Sequence, residues 1–183
     1  ERTIGRGDLR DGQDLADWLS DVLDHGAGRS DAILLCAAYA ADDVAAVADL
    51  AAVLAPSRER RMETLQQGAA FAATTRAVWG LDLPDMAYPV AVGRAARLMD
   101  LPVQPVAQLW LQSFASNLVQ AAQRLMPLGQ TQAQQIMAGL APLCIRIGAE
   151  ATRASLDDIG SATFAVDTAA MQHHRQYSRI FRS

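Results

Sequence analysis

Apolar residues recur at helical spacing along most of this chain, and no stretch alternates as a strand would require. Leu15, Trp18, Leu19, Val22 and Leu23 fall at i, i+3, i+4, i+7 and i+8 behind Asp11 and Asp14. Acidic residues suit a helix start, so this stripe predicts a helix that stops near Gly26 and Gly28. Ser30 is placed to cap a second helix through Tyr39, and Asp42 a third that ends before Pro56. Ser57 opens a long helix carrying Met62, Leu65, Ala69, Ala72 and Val78 and closed by Gly80, with its charge, Arg76 apart, confined to the first turns. Pro89 suits the first turn of a helix running to Met99, and Pro102 and Pro105 reset the chain. The expected fold is an all-α, single-domain helical bundle of about seven to nine helices.

The segment Leu101–Ile145 holds one charged side chain, Arg124, in 45 residues. Its first half predicts a helix with an apolar stripe at Ala107, Trp110, Leu111, Phe114, Leu118, Ala121 and Leu125. The opposite face is polar but uncharged, with Gln108, Gln112, Ser116, Gln120 and Gln123 again at helical spacing. Residues 126–130 read as a turn, Thr131 as the cap of a helix bearing Ile136, Met137 and Leu140, and Pro142 as a kink or interruption. A solvated helix face normally carries Glu, Lys or Arg. Either this hairpin is the central layer of the bundle, or its Gln/Ser face is a protein interface, since charge is depleted at interface cores. Both readings hold if they apply to different faces. Gln108, Gln112 and Ser116 are the candidate homodimer contacts.

Composition narrows the function classes. Half the chain is apolar (51%) but aromatics are only 5%, so Ala, Leu, Val and Ile must build the core, as in helical proteins. A net charge of −4 argues against nucleic acid as a partner. All 16 basic residues are arginine, which excludes a P-loop lysine and Schiff-base chemistry. No run of about 18 apolar residues is long enough to span a bilayer, so no membrane partner is expected. Two cysteines, Cys36 and Cys144, are too few for a disulfide framework, which points to a reducing cytoplasm. The chain starts at Glu1, without a methionine, in what reads as the middle of a helix, and a missing upstream segment is expected.

The C-terminus is a different object. Residues 168–183 contain three arginines and no acid, whereas residues 1–167 carry 13 arginines against 20 acids. On a helix Arg175, Arg179 and Arg182 share one face, and Met171, His174, Tyr177 and Phe181 form a second stripe. Such a segment either packs on its own acidic body or lays into a partner's groove; the second reading is preferred. The domain division is therefore 1–169 for the helical body and 170–183 for a partner-binding tail.

Catalytic and metal motifs are weak. His25, Cys36, Cys144 and the His173–His174 pair are the available donors, yet adjacent histidines on a helix diverge and neither cysteine has a neighbouring ligand. No Ser or Cys sits in an elbow-type turn, and Gly5-Arg6-Gly7 is too short for a phosphate loop. Asp42-Asp43 and Asp157-Asp158 read as helix-start acids. No catalytic residue, cofactor or metal ligand is assigned.

Three segments together resemble the urease accessory protein F (UreF) family. The ending Gln176-Tyr177-Ser178-Arg179-Ile180-Phe181-Arg182-Ser183 is similar to the family's usual C-terminus, and Leu125-Met126-Pro127-Leu128-Gly129-Gln130-Thr131 to its proline–leucine–glycine–glutamine turn. Leu19-Ser20-Asp21 through His25-Gly26 and Asp31 follow its early helix pair. A glycine–phenylalanine–serine–tyrosine segment that the family carries upstream is absent, as truncation before Glu1 would produce. The resemblance implies an all-α, non-enzymatic urease accessory protein, or chaperone, that dimerises. It implies partnership with a D- or H-type accessory protein (UreD/UreH) and a G-type GTPase (UreG). That complex acts on apo-urease, where nickel and a carbamylated lysine are installed with GTP hydrolysis. By the same resemblance Arg175, Tyr177, Ser178, Arg179 and Phe181 are the partner-binding residues. The competing readings are a helical ligand-binding and dimerisation domain of a bacterial regulator, with a closed apolar pocket, and a metal-dependent helical enzyme using His173 or His174.

Overall fold

The computed structural model describes residues 9–160 apart from Pro56. Within them the chain forms seven α-helices and one short 3-10 turn, and no strand, so the all-α expectation holds. The helices are α1 (Gly12–His25), α2 (Ala27–Ala40), α3 (Ala45–Leu54), α4 (Arg58–Trp79), α5 (Tyr88–Leu98), α6 (Val103–Gln123) and α7 (Gln130–Ala151), followed by the turn Leu156–Asp158.

The α1 stripe does what its spacing requires. Leu15, Leu19, Val22 and Leu23 are buried, and the Asp11 side chain accepts from the Gln13 and Asp14 amides. The break after α1 is shorter than expected. Gly26 alone separates α1 from α2, and Ser30 lies inside α2 rather than capping it. Gly28, also inside α2, sits so close to the Leu23 backbone that a Cβ there would collide with it, which lets the two helices turn on one residue. At α3 the side-chain acceptor is Asp43, bonded to the Ala45 amide, in place of Asp42. Ser57 caps α4 through the Arg60 amide as expected, and Gly80 ends it at φ 67°, a left-handed conformation that glycine adopts without steric cost.

Helix α2 occupies the centre. It packs on α5 most extensively, and also on α1, α6 and α7. Its sides feed two core regions. Ala32, Ile33, Leu35 and Cys36 join α1, α6 and α7, while Leu34 and Ala38 join α3 and the start of α5. The hairpin of α6 and α7 is therefore not the central layer. Ala107, Leu111, Ala115 and Val119 of α6 and Ile136, Leu140, Cys144 and Ile147 of α7 enter the core, and the outer faces stay exposed. Each fully buried Leu or Ile contributes about 1.5–3 kcal/mol by leaving water.

Helix α4 buries small residues in place of its large ones. Thr64, Gly68, Ala72 and Thr75 face inward, while Met62 and Val78 are exposed. The segment 80–87 runs back along α4: a Cβ at Gly68 would collide with the Met86 carbonyl oxygen. Arg76 donates to the Leu83 carbonyl and to Asp85, and the Tyr88 amide donates to Thr64 Oγ1 at 3.2 Å. A further expectation fails in α7, where Gly129 is the N-cap residue and Thr131 lies in the first turn. Of the kink or interruption expected at Pro142, the interruption is absent, since α7 runs through that residue. Pro142 is on the exposed face, as is Ala138, whose carbonyl loses its helical donor to the proline.

Close backbone contact sets the first testable consequence. A Cβ at Gly93 of α5 would collide with the Leu35 carbonyl of α2, whereas nothing lies within 4 Å of a Cβ at Gly139 in α7. Gly93→Ala should destabilise the protein by about 1–3 kcal/mol. Gly139→Ala should stabilise it by about 0.5–1 kcal/mol, both read from urea unfolding.

Candidate protein-interaction site

The outer surface of α6 and α7 is free of charge over a long stretch. Leu109, Ser113, Asn117 and Gln120 form the exposed ridge of α6, and Leu109 is 63% exposed. Gln112 and Ser116 flank the ridge on the α7 side. With Leu109, Ser113, Asn117 and Met137 they line an open depression of about 360 Å³. Gln108 points elsewhere: it is half-buried against Gly148 and its amide donates to the Ile145 carbonyl at 3.4 Å. Of the three residues expected at a homodimer contact, two thus lie together on the outer surface and the third belongs to the α6–α7 seam. On α7 the exposed positions Gln134, Gln135, Ala138, Pro142 and Ile145 continue the uncharged surface.

On its other flank α6 forms one wall of a groove with α4 and α5. The groove encloses about 340 Å³ and is lined by Phe71, Tyr88, Trp110, Phe114 and Leu118, with Glu63 at its edge. Its rings are organised. Tyr88 stands edge-on to Trp110 with centroids 4.8 Å apart and lies 5.6 Å from Phe71. Trp110 Nε1–H is buried and has no acceptor among the described residues. Sequence reasoning had placed Trp110, Phe114 and Leu118 on a core stripe. They are only partly buried, because α4 and α5 stand off from α6 there. Three separate elements supply this groove, so no single helical pattern was able to reveal it.

One end of the groove is closed by an ion-pair cluster. Arg60 Nη2 donates to Asp31 Oδ2 at 2.9 Å, tying α4 to α2, and Arg60 Nη1 reaches Glu63 Oε2 at 3.4 Å. Burial pushes the Asp31 carboxyl above the ordinary aspartate range, and Arg60 offsets only part of that rise. Beyond the cluster lies a smaller cavity of about 160 Å³, which shares Arg60, Thr64 and Pro89 with the groove and has Ile159 and Gly160 in its wall.

Metal and nucleophile chemistry finds little support in this part of the chain. Cys36 and Cys144 are unbridged and buried, and burial pushes both thiols up to about 11, so neither is a thiolate at neutral pH. No group of three or more His, Cys, Asp or Glu side chains among the described residues is placed to hold a metal ion. His25 is largely exposed and lies 3.9 Å from Asp24. Asp158 closes a capping box with Ser155, the helix-start role its sequence suggested. His173, His174 and the expected partner-binding residues Arg175, Tyr177, Ser178, Arg179 and Phe181 lie outside the described residues. No helix of the described residues is long and apolar enough to cross a membrane.

Comparison with known proteins bears directly on what these surfaces serve. The family model for UreF matches residues 9–141. The urease accessory protein UreF of Roseobacter denitrificans is 47% identical over 185 residues, an alignment covering 100% of this chain and 83% of the relative. A Cereibacter sphaeroides protein of the same description is 52% identical over 183 residues, covering 100% and 87%. That of Ruegeria pomeroyi is 45% identical over 186 residues, covering 100% and 86%.

The Arg60–Asp31 pair gives this region a pH signature. Removing Arg60 takes away the cation that lowers the Asp31 pKa, so the native pKa rises further while the unfolded one is unchanged. The stability that Arg60 supplies is present where Asp31 is ionised and is lost as pH falls through that raised pKa. Arg60→Ala should therefore show a stability deficit that is largest on the alkaline side of the Asp31 titration and shrinks as pH falls through it, measured against the parent chain by urea unfolding across a pH series.

Proposed function

Because this chain belongs to the UreF family of urease accessory proteins, we propose that it acts in urease maturation as a non-catalytic scaffold. It binds the D- or H-type accessory protein and the G-type GTPase, and the assembly works on apo-urease in the cytoplasm, where nickel enters the metallocentre. The observation that carries this reading is similarity of 45–52% identity along the whole chain to proteins bearing that description. The chain's own chemistry agrees. It has no lysine with which to build a nucleotide-binding P-loop, so GTP belongs to the partner. Its described surface offers uncharged and aromatic contact area. A regulator's ligand-binding domain is less well supported, since the aromatic groove is bordered by the exposed Leu109 and is not a closed pocket.

Two surfaces divide the work. The helical body, residues 1–169, pairs with a second copy through the outer ridge of α6 and its α7 flank, with Gln112 and Ser116 at the contact. The tail, residues 170–183, captures the D-type protein: Tyr177 and Phe181 bury their rings, and Arg175 and Arg179 meet acidic groups through charge-assisted hydrogen bonds beside Ser178.

Each surface has its own test. Purified chain lacking residues 174–183 should keep the helical circular dichroism of the parent and lose capture of the D-type protein in a pulldown. Arg179→Ala should weaken that capture by about 2 kcal/mol if its guanidinium is desolvated in the complex. Loss of the fold on truncation, or undiminished capture, would contradict the assignment of the tail. For the dimer, Gln112→Asp places a charge within the uncharged contact and should move the mass measured by light scattering from dimer towards monomer. An unchanged mass would place the contact elsewhere.

A further inference from the structure

The aromatic groove between α4, α5 and α6 borders the outer ridge of α6 through Leu109, Ser113 and Asn117, but its ring-lined interior serves neither surface assigned above. We propose that it is the seat of the chain's own C-terminal segment, residues 161–183, so that the tail docks on its own body until a partner draws it away. The use to which a partner puts the tail rests on the functional reading above; the docking itself does not.

Position comes first. Ile159 and Gly160, the last described residues, stand in the wall of the smaller cavity, and that cavity shares Arg60, Thr64 and Pro89 with the groove. The chain therefore leaves the described body at the groove's own end. The 23 residues that follow Gly160 reach about 75 Å when extended, far more than the groove requires. A tethered segment of this kind competes at an effective concentration on the order of millimolar, so weak contacts suffice.

Chemistry supplies the second argument. The groove offers Phe71, Tyr88, Trp110 and Phe114, and rings of this kind accept other aromatic rings edge-on and arginine over their faces. The tail carries Tyr177 and Phe181 interleaved with Arg175, Arg179 and Arg182, and has no acid from Thr168 onward. Glu63 at the groove edge gives those arginines an opposite charge, only 38% of its side chain being exposed and its Arg60 partner shared with Asp31. The buried Trp110 Nε1–H has no acceptor among the described residues, a cost that a carbonyl or hydroxyl of a docked segment relieves if the ring turns towards it.

The full chain provides the test. Ser178→Cys adds one accessible thiol, while the buried Cys36 and Cys144, with thiols raised to about 11, resist labelling. A nitroxide attached at position 178 should broaden the methyl signals of Val106, Leu109 and Leu118 far more than those of Leu19, which is buried on α1. Gln67→Arg, a change at an exposed position on the α4 wall of the groove, sets a like charge against the tail and should abolish the broadening without loss of helicity. No selective broadening would overturn the proposal. So would the same broadening in a mixture of spin-labelled chain without isotope and isotope-labelled chain lacking the nitroxide, because the occupant would then be the tail of a second copy. Capture of the D-type protein is scored separately, on the parent chain without the label: its absence there with the broadening intact sinks the functional reading and leaves the docking, and the reverse result does the opposite.

Discussion

Burial of α2 on several sides at once is the constraint on which the rest of the structure depends. A helix enclosed in this way must tolerate close backbones, and it does so because its neighbours present glycine or alanine at the crossings. Gly93 lies under the Leu35 carbonyl, Ala96 follows it one turn on along the same face of α5, and Gly28 lets α1 fold back against the start of α2. Large apolar side chains fill the space beside these contacts, with Ile33 and Leu35 on one side and Leu34 on the other. The scarcity of aromatic residues follows from this design: a ring at any crossing would push the helices apart. Four aromatic residues, Phe71, Tyr88, Trp110 and Phe114, gather where α4 and α5 part from α6, and they line a groove there.

That arrangement explains which features were legible in the sequence. The α1 stripe was legible because one side of that helix is buried and the other wet, and the Asp11, Ser57 and Gly80 boundaries were legible because each has a local hydrogen-bond or conformational cause. The centrality of α2 was not. A helix buried all round has no amphipathic pattern to read, and the uncharged hairpin of α6 and α7 looked more central than it is. In α4 the inward positions are threonine, glycine and alanine, chosen for close approach, so the eye follows Met62 and Val78 to the wrong face. Thr131 misled for the opposite reason: its preference for a cap was real but weaker than the packing that starts α7 at Gln130, and Pro142 does not interrupt the helix.

The candidate surfaces divide in the same way. Charge depletion between Leu101 and Ile145 was visible in one dimension and pointed to a surface that the fold does expose at Gln112 and Ser116. Gln108 belongs to the same pattern but is diverted into the seam by the absence of a side chain at Gly148. The groove was invisible because its residues are separated in sequence from Arg60 to Leu118. A protein that organises others needs a rigid body and presentable surfaces more than a catalytic centre. The buried, unreactive thiols and the outward-facing uncharged helix surface fit that role.

The most direct measurement is of urease activity in cells that retain urease and the other accessory proteins but lack their own F-type protein. Expression of this chain, with any upstream residues of its gene, should restore nickel-dependent urease activity, and the variant in which both Cys36 and Cys144 are replaced by Ala should restore it equally. A folded, expressed chain that leaves urease in its inactive apo form would contradict the account. So would activity that vanishes when the two buried thiols are replaced in a variant that still folds.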